Sequence, residues 1–65
     1  MTVTIKSENL KKHYIEICQE KYSSCYKVQV SEDRGGLYYL IDEKIYGTEK
    51  QANRRYNNMK KLYNR

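Results

Sequence analysis

A chain of 65 residues with 38% apolar and 32% charged content allows one small domain and leaves little room for an enclosed substrate pocket. Such a chain buries only about 60% of its unfolded surface, so its stability is marginal, and association into a homodimer would be an ordinary way to enlarge the core. Met1 to Gly47 holds seven Lys/Arg against seven acids, whereas Thr48 to Arg65 holds six cations against Glu49 alone, so the whole net charge of +5 lies in the last segment.

From the N-terminus, Val3 and Ile5 alternate with polar neighbours and predict a short strand over 2–6. Ser7 stands as a helix N-cap, with Glu8 where a negative charge suits the helix dipole. Leu10, Tyr14, Ile17, Cys18 and Tyr22 then recur at helical spacing, with Ile15 widening the stripe. Lys12, His13, Glu16, Gln19 and Glu20 fall on the other side. This predicts an amphipathic helix of roughly four turns.

Ser23 and Ser24 interrupt that pattern. Tyr26, Val28 and Val30 alternate with Lys27, Gln29 and Ser31, as in a half-buried strand. Gly35-Gly36 supplies a turn, and Leu37 to Ile41 is the most strand-like segment of the chain. Asp42-Glu43 reads either as a tight turn into a strand Lys44 to Tyr46 or as part of one bulged strand.

Gly47 ends the sheet, and Thr48 with Gln51 forms a capping box for a last helix. Ala52, Tyr56, Met59 and Tyr63 fall on one face of it. Lys50, Arg54, Lys61 and Arg65 fall within about 60° of each other on the opposite face. The expected architecture is α+β, in the order β-α-β-β-(β)-α. It has a small antiparallel sheet of two to four strands and two amphipathic helices packed on one face. The expected core is Leu10, Tyr14, Ile17, Val28, Val30, Leu40, Ala52, Tyr56 and Met59.

The basic stripe is the main functional signal. Most charged helix faces are only solvated, but such faces usually mix signs for i, i+4 support, and this helix has Glu49 as its one acid. Lys50 to Arg65 spans about 22 Å, enough to follow several phosphates. Asn53, Asn57 and Asn58 can hydrogen-bond base edges or backbone oxygens. Nucleic acid, DNA or RNA, is therefore the expected partner, met by Lys50, Arg54, Asn57, Lys61 and Arg65. The alternative is an inhibitor or adaptor of phage or plasmid type that docks on a host protein without catalysis. The abundance of Lys, Asn, Ile and Tyr is what AT-rich coding produces, as in a phage or a low-GC bacterium.

Other constellations point to little chemistry. His13 and Glu16 at i, i+3 would be a minimal acid/base pair, but no nucleophile or pocket accompanies them. His13, Cys18 and Cys25 are too few and wrongly spaced for zinc, and Gly35-Gly36 lacks the G-K-[ST] of a phosphate loop. No enzyme activity, metal or cofactor is expected. One of Tyr38 and Tyr39 should lie on an exposed sheet face, able to stack a base or anchor a protein. No run approaches the ~18 apolar residues of a membrane span, and the first ten residues lack an apolar core segment, so a cytoplasmic protein is expected. There Cys18 and Cys25 would stay thiols.

Read as α-β-β-β-α, the block Glu8 to Asn64 resembles the double-stranded RNA-binding domain. That family carries a basic start to its last helix, often K-K-x-A-K; here Glu49-Lys50-Gln51-Ala52-Asn53 matches at Lys50 and Ala52. The family's Pro-His loop is replaced by Ser31 to Gly36, with neither residue, and the linker after the first helix is shorter. A three-stranded sheet followed by Thr48-x-Lys50-x-Ala52 also resembles the small DNA-binding domains of phage integrases. Both resemblances imply nucleic-acid binding.

Overall fold

The computed structural model describes residues 2–20 and 24–63. Four strands, β1 (Thr2–Asn9), β2 (His13–Glu20), β3 (Tyr26–Arg34) and β4 (Leu37–Tyr46), precede one helix, α1 (Glu49–Tyr63). The strands form an antiparallel sheet in the order β1-β2-β3-β4, so each pairs with its neighbours in sequence. The fold is α+β as expected, but the described residues hold one helix rather than two.

The expected helix from Ser7 onward is instead the end of β1, a turn, and β2. Ser7 is therefore a strand residue opposite Glu16, not an N-cap. The reason lies in two periods that coincide over this stretch. Leu10, Tyr14, Ile17 and Cys18 fit a 3.6-residue repeat, but His13, Ile15, Ile17 and Gln19 fit a repeat of two. Ile15 and Ile17 are β-branched and fit a pleated surface better than a helix. Tertiary pairing decides it: Ile15 sits opposite Val30 and Ile17 opposite Val28, and all four are fully buried on one sheet face. A helix would have turned Ile15 and Ile17 about 200° apart. With the first helix gone, the α-β-β-β-α order of the double-stranded RNA-binding domain is absent.

The turn between β1 and β2 is closed by the Leu10 N–H donating to the His13 carbonyl at 2.7 Å. The Asp33 N–H donates to the Lys12 carbonyl at 2.8 Å and ties the turn to β3. At the β3–β4 turn, Gly35 and Gly36 adopt φ of 66° and 94°. Only glycine takes such angles without a Cβ penalty, and the Asp33 carboxylate accepts the Gly36 N–H at 3.0 Å. The Lys44 to Tyr46 segment is continuous with Leu37 to Ile41, which selects the bulged-strand reading. The register slips where Val30 pairs with Asp42 and Ser31 with Leu40, leaving Ile41 as the extra residue.

α1 starts where Thr48 predicts. The Thr48 hydroxyl oxygen accepts the Gln51 N–H at 3.3 Å, and its carbonyl accepts the Ala52 N–H. The helix lies across one face of the sheet, chiefly over β2 and β3. Ala52, Tyr56 and Met59 seal Ile15, Ile17, Val28 and Val30, with Leu10, Tyr26, Tyr46 and Tyr63 at the margin. Of the expected core, Ile17, Val28, Val30, Ala52, Tyr56 and Met59 are buried, while Leu10 and Tyr14 are half-buried. Leu40 is exposed, because the register sets it on the sheet face that α1 does not cover.

Candidate nucleic-acid interface on helix α1

The burial of one helix face fixes what the other displays. With Ala52, Tyr56 and Met59 inward, the 100° step per residue turns Lys50, Arg54, Asn57 and Lys61 outward, and all four are exposed. Arg65, the fifth expected contact, lies outside the described residues. Lys50 to Lys61 covers about 16 Å of helix at 1.5 Å per residue.

Ion pairs sort the helix cations into two groups. Arg55 Nη2 meets Asp42 Oδ2 at 2.7 Å, clamping the helix to β4. Lys60 Nζ meets Glu8 Oε2 at 2.9 Å, clamping it to β1. The Glu8 carboxylate beside Lys60 holds that ammonium above its ordinary pKa. Burial, with Glu8 nearby, pushes the Tyr56 hydroxyl up, and Lys6 Nζ stands 4.8 Å over the Tyr56 ring. Among the described residues, no ion pair engages Lys50, Arg54 or Lys61. The cations facing the sheet are thus matched by carboxylates, and those facing out keep their charge unmatched.

The C-terminal end of α1 adds a feature that the sequence reading lacked. The Tyr63 ring stacks on His13 with centroids 4.5 Å apart. Around this contact, Lys11, Lys12, His13 and Tyr63 line a concavity of about 210 Å³. Lys11 and Lys12 are exposed on the β1–β2 turn, next to Tyr63 at the end of α1. A helical reading of this segment hid them, because it placed Lys12 on the flank of a different helix. A two-residue Lys-Lys hairpin tip, read from the repeat of two, would have been the signal.

His13 itself is used differently from expectation. It faces the helix side of the sheet and approaches Glu32 Oε2 at 3.7 Å. Glu16 lies on the opposite face, since neighbours three apart in a strand point apart. The His13–Glu16 pairing that a helix would have allowed therefore does not form. Arg34 Nε donates to Glu32 Oε1 at 2.7 Å, and this bond holds the Glu32 carboxyl below its usual range.

The uncovered sheet face has the wrong sign for phosphate. Strand alternation places Glu16, Glu43 and Asp33 there against Lys27, which itself meets Glu43 at 3.8 Å. The Tyr14 hydroxyl donates to Glu16 at 3.3 Å and the Tyr14 ring meets Tyr38 edge-on, beside a depression of about 460 Å³. Tyr39 falls on the helix side, where the Arg34 guanidinium stands 5.3 Å from its ring centre. Cys18 is a buried thiol on the uncovered face and Cys25 an exposed one. Burial pushes the Cys18 thiol up, and the adjacent Glu16 carboxylate adds to the shift. Among the described residues, no three of His, Cys, Asp and Glu come together as metal ligands. Among the described residues, no helix is long and apolar enough to cross a membrane. No family model, curated protein or solved structure matches this chain.

Proposed function

We propose that this protein binds nucleic acid, DNA or RNA, through the outer face of α1, without catalysis. Lys50, Arg54 and Lys61 meet phosphates, Asn57 hydrogen-bonds backbone or base edges, and Lys11 and Lys12 extend the contact at the helix end. One observation carries the reading: among the described residues, Lys50, Arg54 and Lys61 have no carboxylate partner while Arg55 and Lys60, one step round the helix, are paired. A solvated helix face would mix its signs, whereas a phosphate-tracking face keeps one sign.

Three phosphates neutralised on duplex DNA give a slope of log affinity on log salt of about −2.7, and five give about −4.5. The test compares wild type with Lys50→Gln/Arg54→Gln/Lys61→Gln on single- and double-stranded DNA and RNA at two salt concentrations. The triple variant should lower the slope by about 2.7 units on duplex DNA with little change in melting temperature, because all three residues are exposed on the face opposite the buried Ala52, Tyr56 and Met59. Failure of the wild type to bind any of the four near ~50 mM salt would sink the proposal. A second reading is favoured by the uncovered sheet face, where Tyr38, Leu40, Ile41 and Ile45 stand exposed. In it the chain is an inhibitor or adaptor that docks on a host protein, with an affinity nearly indifferent to salt.

A further inference from the structure

β4 is the outer strand of the sheet, and among the described residues nothing pairs with its far edge. An outer strand holds out a row of unpaired N–H and C=O groups, and proteins usually guard such edges with charge or keep them short. β4 is ten residues long. Its charges, Asp42, Glu43 and Lys44, sit together in the second half, and the first half carries none. Leu37 to Ile41 is a run of five apolar side chains, each between 37 and 64% exposed, in a chain whose mean hydropathy is −1.05.

The run is exposed on both sides of the sheet. Tyr38, Leu40 and Ile41 lie on the uncovered face, and Leu37 and Tyr39 on the helix side. A partner seated on one face would leave the other set in water. A strand laid along the edge covers both and satisfies the backbone as well.

We propose that the occupant is a second copy of this chain, paired antiparallel, β4 to β4, about a two-fold axis through Tyr39. Antiparallel edge pairing keeps each sheet face continuous across the dyad, so the segment must complement itself, and its central three residues do. Tyr39 meets the partner's Tyr39 on the helix side and Tyr38 meets the partner's Leu40 on the uncovered face; beyond them the bulge puts Leu37 on the helix side and Ile41 on the uncovered face, so the matched pairing ends there. Aromatic and aliphatic cross-strand pairs of this kind are stabilising. Sliding the axis to Glu43 would set Glu43 against itself, and directly opposed like charges are destabilising. Pairing β4 with the other outer strand, β1, would give an open-ended array rather than a closed dimer. The pairing covers only a five-residue edge, so the interface lies at the small, weak end of specific interfaces and the dimer exchanges with monomer.

Sedimentation equilibrium of the wild type should show apparent mass doubling between low micromolar and several hundred micromolar protein. Leu40→Lys should remain monomeric over that range with an unchanged melting temperature, since Leu40 lies outside the core. Directly opposed residues have Cα atoms about 4.5–5.5 Å apart, within disulfide reach. In a Cys25→Ser background, Tyr39→Cys should therefore cross-link to a covalent dimer on mild oxidation, with the bond mapped to position 39. Glu43→Cys should not. A wild type that stays monomeric to about 1 mM, a Leu40→Lys variant that still dimerises, growth beyond dimer, or cross-linking at 43 in place of 39 would each overturn the proposal.

Discussion

Ile15 and Ile17 provide the sharpest test of the fold, because the strand places both in the core and a helix places them on opposite sides. Both are fully buried, against Val30 and Val28 respectively. Truncating either to Ala removes three carbons, about 2.4 kcal/mol of transfer free energy at 0.8 per methylene. The residual cavity raises the cost to about 3–4 kcal/mol. A domain of this size has a total stability of roughly 3–10 kcal/mol, so the alanine variants approach unfolding and would be hard to measure. Valine is the better probe. Ile15→Val and Ile17→Val each remove one methylene and should cost about 1 kcal/mol. With a urea dependence near 1 kcal/mol per molar for so small a domain, each should lower the unfolding midpoint by about 1 M. Ile45→Val, on an exposed side chain of β4, should shift it by less than about half as much. Urea titrations followed by circular dichroism read all three. If Ile17→Val shifts the midpoint and Ile15→Val does not, the two residues do not share a face, and the sheet pairing described for β2 is wrong.

Adjacent arginines should behave differently. Arg54→Gln should weaken nucleic-acid binding and reduce the salt slope by about one unit, whereas Arg55→Gln should leave the slope in place and change stability by at most about 1 kcal/mol through its half-exposed pair with Asp42. Glu32 titrates below an ordinary carboxylate because Arg34 bonds its charged form. Its stabilising contribution is therefore complete above the unfolded-state pKa and is lost as pH falls through the lower folded value. An NMR titration of the Glu32 side chain should move toward the ordinary range in Arg34→Gln, and an unmoved titration would show that the bond does not cause the shift. Cys25 should react with a thiol reagent much faster than Cys18, whose thiol is buried and raised in pKa; equal rates by mass spectrometry would contradict that burial.

The C-terminal half of the fold was legible because its signals are local. Thr48 caps, Gly35-Gly36 turns, and Val28 and Val30 alternate, each for a reason contained within a few residues. The outward placement of Lys50, Arg54, Asn57 and Lys61 followed from the same arithmetic that buried Ala52, Tyr56 and Met59. The strand over 2–6 is there, as the start of β1, but the segment from Ser7 to Glu20 reads as a helix because Tyr14 and Cys18 are apolar residues on a sheet face that no layer covers. Their spacing from Ile17 imitates a helix, and only pairing with β3 shows which repeat is real. Leu40 failed for a related reason: a one-residue slip at Ile41 sets both Leu40 and Ile41 on the uncovered face, and no local signal marks the slip. Lys11 and Lys12 joined the candidate interface only through the contact of Tyr63 with His13, which links the two ends of the chain.

The nearest-neighbour order of the strands also bears on how the chain reaches its fold. Three short connections close the sheet one hairpin at a time, the kind of local topology that folds quickly. The long loops are closed by α1 alone, when Lys60 meets Glu8 and Tyr63 meets His13 across most of the sequence. During synthesis the four strands leave the ribosome before the helix does, and Ile15, Ile17, Val28 and Val30 then line a sheet with neither face covered. Residues 49–63 end that interval, and Leu37 to Ile41 remains uncovered after it.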